Sequence, residues 1–244
     1  MRELAGGVAL VTGGAHRVGR AIVEALAGAG MRVAIHYNAA ADDAEQLVAE
    51  LRDVGYEALT FGADLSDPSA PQALVAQVTE AFGEIDVLVN SAAVMRRTPV
   101  ADVTVAEWDA MFALNLRAPF FLAQAAWPAL RNTHGCIVNL ADLAAFETWP
   151  AYVPHTITKA GVVQMTRALA RTLAPEIRVN AIAPGAVLLP EGWNPEAGDR
   201  LRATTPLHRL GSPDDVVDAV LYLLRADYVT GETIIVDGGR HVRT

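Results

Sequence analysis

The chain has 244 residues, 52% hydrophobic and 19% charged, which is enough apolar material for one sizeable core and too much for disorder. Its 28 acidic against 19 basic residues leave a formal net charge of −9, so nothing chain-wide attracts nucleic-acid phosphates or anionic lipid, and neither partner is expected. A lone cysteine, Cys136, cannot close an internal disulfide, the opening residues carry no leader pattern, and no uncharged apolar run approaches the roughly 18 residues of a membrane span. The cytoplasm is the expected compartment.

Short β-type apolar runs alternate with helix-period segments from end to end. The first strand is expected at Val8 to Thr12, and it runs into Thr12-Gly13-Gly14-Ala15-His16-Arg17-Val18-Gly19-Arg20 at the head of a helix. A glycine turn in that place can aim backbone N–H groups and a positive helix end at a pyrophosphate, although such turns also serve packing alone. A second strand, Arg32 to His36, leads to His36-Tyr37-Asn38 with no acid among residues 36 to 40. An NAD site usually places a carboxylate there for the ribose hydroxyls, whereas an NADP site must accommodate another phosphate. Arg17 could supply a charge-assisted bond to it, or be only a solvated surface cation. The third strand, Glu57 to Phe61, precedes Asp64-Leu65-Ser66, and Gly30, Gly55 and Gly83 read as helix stops.

The fourth strand is expected at Asp86 to Asn90, followed by a capping box at Thr104 to Glu107. Pro119, four residues after Asn115, has no N–H for the Asn115 carbonyl, which leaves that oxygen free for a water or merely kinks the helix. Beyond the fifth strand, Cys136 to Ala141, comes Asp142, then a helix with Pro154 in its first turn and with His155 and Lys159 on one face at i and i+4. The sixth strand is expected at Ile177 to Ile182. Pro184 to Thr205 then reads as one long irregular stretch, a lid over the site. Ser212-Pro213-Asp214-Asp215 starts a further helix, and Thr233 to Val236 is the last strand. This βαβ order predicts a single α/β domain, a Rossmann-type doubly wound parallel sheet of about seven strands with helices on both faces.

Eighteen of the 19 cations are Arg, and Lys159 is the only lysine. A GC-rich genome accounts for the bias but not for the exception, which suits a position needing a compact ammonium on a flexible stem.

Several of these motifs together resemble the short-chain dehydrogenase/reductases: the Thr12 to Gly19 turn, Asn90-Ser91-Ala92-Ala93, Asn115, Lys159, Pro184-Gly185 and the closing Thr230 to Gly239. The resemblance spans nearly the whole chain. Arg17 stands where most members carry a middle glycine, and this turn, with His36-Tyr37-Asn38, Asp64-Leu65-Ser66 and the run from Asn115 to Leu122, is similar to the pteridine reductase branch. The resemblance implies an NADP(H)-dependent oxidoreductase that passes hydride to a small carbonyl or pterin-type substrate. It implies a cofactor site of Gly13, His16, Arg17, Val18, Gly19, His36, Tyr37, Asn38, Asp64, Leu65, Asn90, Ala92, Lys159, Pro184 and Gly185. No metal is implied, and relatives are commonly homotetramers, for which Val216 to Leu224 and Ile234-Ile235-Val236 would suit either a contact or the core.

The family's working set is Asn, Ser or Asp, Tyr and Lys, with Tyr four residues before Lys. Here those places hold Asn115, Asp142, His155 and Lys159, so one member has changed chemical type. Imidazole can still give a hydrogen bond to a developing anion, with Lys159 favouring the neutral ring and Asp142 the cation. Alternatively, His155 only fills the space in a nucleotide-binding protein that does not turn over, or Tyr152 replaces the donor. The place of the aromatic ring that stacks a pterin falls at Met95, and Asp142, Leu188 and Trp193 would complete the substrate pocket. Arg96 and Arg97 lie nearby, as pocket or as ordinary surface. An ordinary ketoacyl or sugar reductase of the same family is the remaining alternative.

Overall fold

The structure, a computed structural model, describes residues 3–188 and 194–242. Each expected apolar run forms a strand: β1 (Val8–Thr12), β2 (Arg32–Tyr37), β3 (Ala58–Gly62), β4 (Val87–Asn90), β5 (Cys136–Leu140), β6 (Arg178–Pro184) and β7 (Thr233–Val236). All neighbours pair in parallel, in the order β3-β2-β1-β4-β5-β6-β7. Parallel strands need crossover connections, and here helices supply them, covering both faces; β1, β4 and β5 are therefore buried along their whole length, and apolar except for Thr12, Asn90 and Asn139.

The helices are α1 (Arg17–Gly28), α2 (Ala41–Asp53), α3 (Ala70–Phe82), α4 (Val105–Phe112), α5 (Ala118–Asn132), α6 (Val153–Leu173), α7 (Pro195–Thr204) and α8 (Pro213–Arg225). Period-two alternation along β1 divides the core into two layers. Ala9 and Val11 pack with Val23 and Leu26 of α1 and Val216 and Val220 of α8, whereas Val8 and Leu10 pack with Leu74 and Val78 of α3 and Leu122 and Ala126 of α5. Both expected capping boxes form, Thr104 with Glu107 and Ser212 with Asp215. A π-helical turn, Ala113–Arg117, joins α4 to α5 immediately before Pro119, whose missing N–H breaks the regular ladder there.

One expectation changes. The stretch from Pro184 to Thr205 is not irregular throughout, because α7 occupies its second half, started by Asn194, whose side chain accepts the Glu196 amide at 2.9 Å. Of the two roles left open for residues 216–224, the core takes Val216, Val220, Leu223 and Leu224, while Tyr222 stands exposed. Large apolar side chains stand exposed on α4 and α5 instead: Trp108, Phe120, Phe121 and Trp127. Among the described residues no helix is long and apolar enough to cross a membrane.

Strand order positions the site. From β1 the chain turns toward β2 and β3, and from β4 it turns the other way toward β5, β6 and β7, so a crevice opens outside the carboxyl ends of β1 and β4. Thr12, Asn90 and Asn139 stand in register across those ends.

Candidate nucleotide and catalytic site

At the β1 end, Gly13 adopts φ +64°, and a Cβ there would lie 3.0 Å from the Ala92 Cα. Gly19 is tighter still, since its Cβ would fall 2.1 Å from the Gly13 carbonyl oxygen. Between them Arg17 holds φ +53°, a left-handed conformation that glycine adopts without strain and arginine does not. That explains physically why a glycine would suit the position. The first turn of α1 has no side-chain cap and no acid, so its amide N–H groups are left for an anion.

His36, assigned to the cofactor from sequence, lies beneath the turn and is only 2% exposed. Its Nδ1 accepts the Gly13 N–H at 3.1 Å while Nε2 faces the Ala63 carbonyl at 3.0 Å, a pattern that the neutral ring satisfies completely. Burial pushes the imidazole below its ordinary value, and the Ala63 carbonyl and Asp64 oppose that only in part. His36 thus shapes the turn from below. Leu65 is buried in the core, and Asn90 is buried with its amide Nδ2 donating to Asn139 Oδ1 at 2.8 Å, while Asn139 Nδ2 donates to Thr166 Oγ1 at 2.9 Å. Neither side chain opens on the crevice as a free donor.

The remaining assigned residues surround the opening. Asn38 and His16 are exposed, with His16 Nε2 3.4 Å from Asp43, and Tyr37 packs its ring end against Gly62. Asp64 accepts both the hydroxyl and the amide of Ser66, which hold its carboxyl below the usual range. Val18 is half-buried on α1. Thr12 Oγ1 accepts the amides of Ser91 and Ala92 at 3.0 and 3.1 Å and so ties the β4 end to the β1 end. Pro184 ends β6, and Gly185 crosses so close to Asp237 that a Cβ would meet the Asp237 Cβ at 2.8 Å. The Arg17 guanidinium reaches neither Tyr37 nor Asn38 but donates to the Leu188 carbonyl at 3.0 Å.

At the β4 and β5 ends the four expected catalytic residues come together. Lys159 is buried, and its Nζ donates to the Leu140 carbonyl at 2.7 Å. Burial lowers its pKa to about 8, against the opposing pull of Asp142. Asp142 caps a single helical turn, Leu143–Ala145, through Oδ1, which accepts the Ala144 amide at 2.9 Å, and turns Oδ2 toward His155 Nε2 at 3.4 Å. His155 Nδ1 lies 3.3 Å from the Val94 carbonyl. His155 is nearly sealed, with 3% of its side chain exposed, while Asp142 keeps 25%. The Asn115 side chain clamps Val94 on both sides, accepting its N–H and donating to its C=O, each at 2.8 Å, and touches Thr158 Oγ1 at 3.3 Å.

Val94 is therefore part of the site, although no side-chain pattern points to a residue that acts through its backbone. Sequence reasoning also passed over two aromatic residues that follow Asp142: Phe146, which is exposed, and Trp149, whose ring centroid lies 6.0 Å from that of Tyr152 edge-on. Tyr152 precedes α6, Met95 is exposed on the β4 side, Leu188 is exposed, and Trp193 lies outside the described residues.

Residues 13–241 match the sequence model of a family described as enoyl-(acyl carrier protein) reductase. The 3-oxoacyl-(acyl-carrier-protein) reductase FabG of Staphylococcus aureus is 34% identical over 240 residues, covering 96% of this chain and 98% of the relative. D-threitol dehydrogenase of Mycolicibacterium smegmatis is 35% identical over 249 residues, covering 99% and 95%. Among solved structures, FolM alternative dihydrofolate reductase 1 from Brucella canis, complexed with NADP, superposes with a TM-score of 0.94 at 37% identity and covers 100% of this chain and 97% of its own.

Proposed function

Because the chain belongs to the short-chain dehydrogenase/reductase family, we propose that it is an NADP(H)-dependent reductase of small carbonyl or pterin-type substrates, pteridine-reductase-like in its turn and catalytic set. The observation that carries this reading is the convergence of Lys159, Asp142, His155 and the Val94 backbone beside the uncapped first turn of α1, at one crevice. Bound NADPH would supply the hydride.

The chain's own residues do the rest. The uncapped backbone amides at the first turn of α1 would receive the pyrophosphate. Arg17 exchanges the neutral Leu188 carbonyl for the charged 2'-phosphate, a stronger acceptor by about 1 kcal/mol or more. Lys159 holds ribose hydroxyls and lends positive charge. His155 faces two acceptors, the Val94 carbonyl and the Asp142 carboxylate, and only the doubly protonated ring can donate to both. Contacts of 3.3 and 3.4 Å are long and can be remade when a ligand enters. The proton for a developing alkoxide or amide nitrogen leaves Nε2, directly or across Asp142, while Nδ1–H stays on Val94. Asn115 holds a relay water on its backbone carbonyl and fixes Val94 with its side chain. A second copy covers the exposed face of α4 and α5 in a homo-oligomer, and the cytoplasm is the compartment.

One observation favours a second reading, a nucleotide-binding protein without turnover: both His155 nitrogens already face partners and the ring is sealed. The likeness to FabG keeps a ketoacyl substrate as the alternative to a pterin. NADPH and NADH titrations by tryptophan fluorescence, followed by NADPH oxidation with dihydropterins, quinones and acetoacetyl thioesters, test these readings. Turnover should fall by about 10²-fold or more in His155→Ala, the usual worth of a positioned acid. An inert natural protein that gains activity as His155→Tyr would establish the binding reading instead.

A further inference from the structure

The segment following β4 is pinned at two points and carries two cations between them. At one end, Val94 is held by Asn115 and faced by His155, and at the other the Thr98 N–H donates to the Ala151 carbonyl at 2.8 Å. Arg96 and Arg97 lie between these anchors, both exposed. Two residues of backbone span at most about 7 Å, so Arg96 cannot start farther than that from the carbonyl that meets the catalytic imidazole. Among the described residues neither guanidinium has an ion pair or hydrogen bond, a state shared with Arg167, Arg171, Arg200 and Arg225, whereas Arg20, Arg32, Arg202 and Arg209 pair with carboxylates; what sets Arg96 and Arg97 apart is their place on a segment anchored at the catalytic set.

Of the acids near the segment, Asp142 and Glu147 have hydrogen-bond partners, and Asp102 stands exposed five residues beyond Arg97. Asp142 is turned toward His155 and the Ala144 amide, and Glu147 accepts the Trp149 indole N–H at 3.0 Å. The rim therefore holds two adjacent exposed cations next to the exposed thioether of Met95, on a segment that the Thr98–Ala151 bond ties to the turn carrying the Trp149–Tyr152 ring pair. A cation left in water has no need of such an anchored base, and an anion arriving at the pocket would find a planar fork already placed.

We propose that Arg96 and Arg97 form an anion-recognition rim, and that the substrate of this reductase site is an apolar or aromatic molecule bearing a carboxylate. The inference rests on the proposed function, because the pocket is read as the one facing bound NADPH. The test uses an isosteric pair of non-reacting probes, benzoate and benzamide, titrated against the NADPH-saturated protein and followed through Trp149 fluorescence and calorimetry. Benzoate should bind at least about tenfold more tightly than benzamide, the worth of one charge-assisted hydrogen bond. That preference should disappear in the Arg96→Ala/Arg97→Ala double variant, return in part with Lys at both positions, and weaken with added salt, while NADPH affinity stays unchanged. Equal binding of the two probes, no binding of benzoate, or a preference that survives the double substitution would overturn the inference while leaving cofactor binding intact. Failure of NADPH itself to bind would overturn the proposed function and this inference with it.

Discussion

Lys159 shows how a single residue can be costly to the fold and useful to the site. Its ammonium is buried on α6 with one carbonyl partner, and burial lowers its pKa to about 8 from the ordinary 10.5. Between those values the unfolded chain keeps a proton that the folded site has released, so folding stability rises with pH across that window. The urea midpoint of the natural protein should therefore climb relative to that of Lys159→Met between pH 8 and 10, while the variant binds NADPH more weakly. A parallel pH dependence in the two proteins would show that the ammonium is not buried as described. His155 illustrates the converse: its sequence spacing placed it beside Lys159, but its chemistry depends on Val94, 61 residues away.

The unit formed by β1, the glycine turn and α1 depends on β2 for its shape. His36, at the end of β2, supports Gly13 as a neutral ring, and burial keeps it neutral by lowering its pKa from 6.5. A depressed folded value means that the contribution of His36 to stability is whole above pH 6.5 and is lost as pH falls through the lower folded value. Protonation would also set an N–H against the Gly13 N–H. NADPH affinity should then weaken only as pH falls through that lowered folded value, and His36→Gln, whose amide both accepts and donates without titrating, should retain affinity near neutrality and remove that component of the pH profile. An unchanged profile in the variant would show that His36 does not carry that pH dependence.

For the whole molecule, the unpartnered surface is as informative as the buried one. Trp108, Phe120, Phe121 and Trp127 present a run of large apolar side chains along α4 and α5, more than a monomer ordinarily leaves in contact with water. A second copy of the chain on this face would bury it, and Trp127→Glu should then shift sedimentation toward a smaller species without altering the circular dichroism. If the natural protein already sediments as a monomer, that face has another role.

The amino-acid sequence determined the number and order of the strands, the caps of α4 and α8, the phosphate-type turn and the alignment of His155 with Lys159, because each rests on periodicity or spacing within a few residues. It could not determine which way Asp142 and His155 face, that Asn115 acts on the Val94 backbone, that His36 and Asn90 lie beneath the crevice, or that Arg17 finds Leu188, 171 residues on. Those contacts arise only when the chain reverses direction between β1 and β4 and brings distant strand ends into register. Burial, and with it the charge state of a side chain, is decided by neighbours that local pattern does not encode.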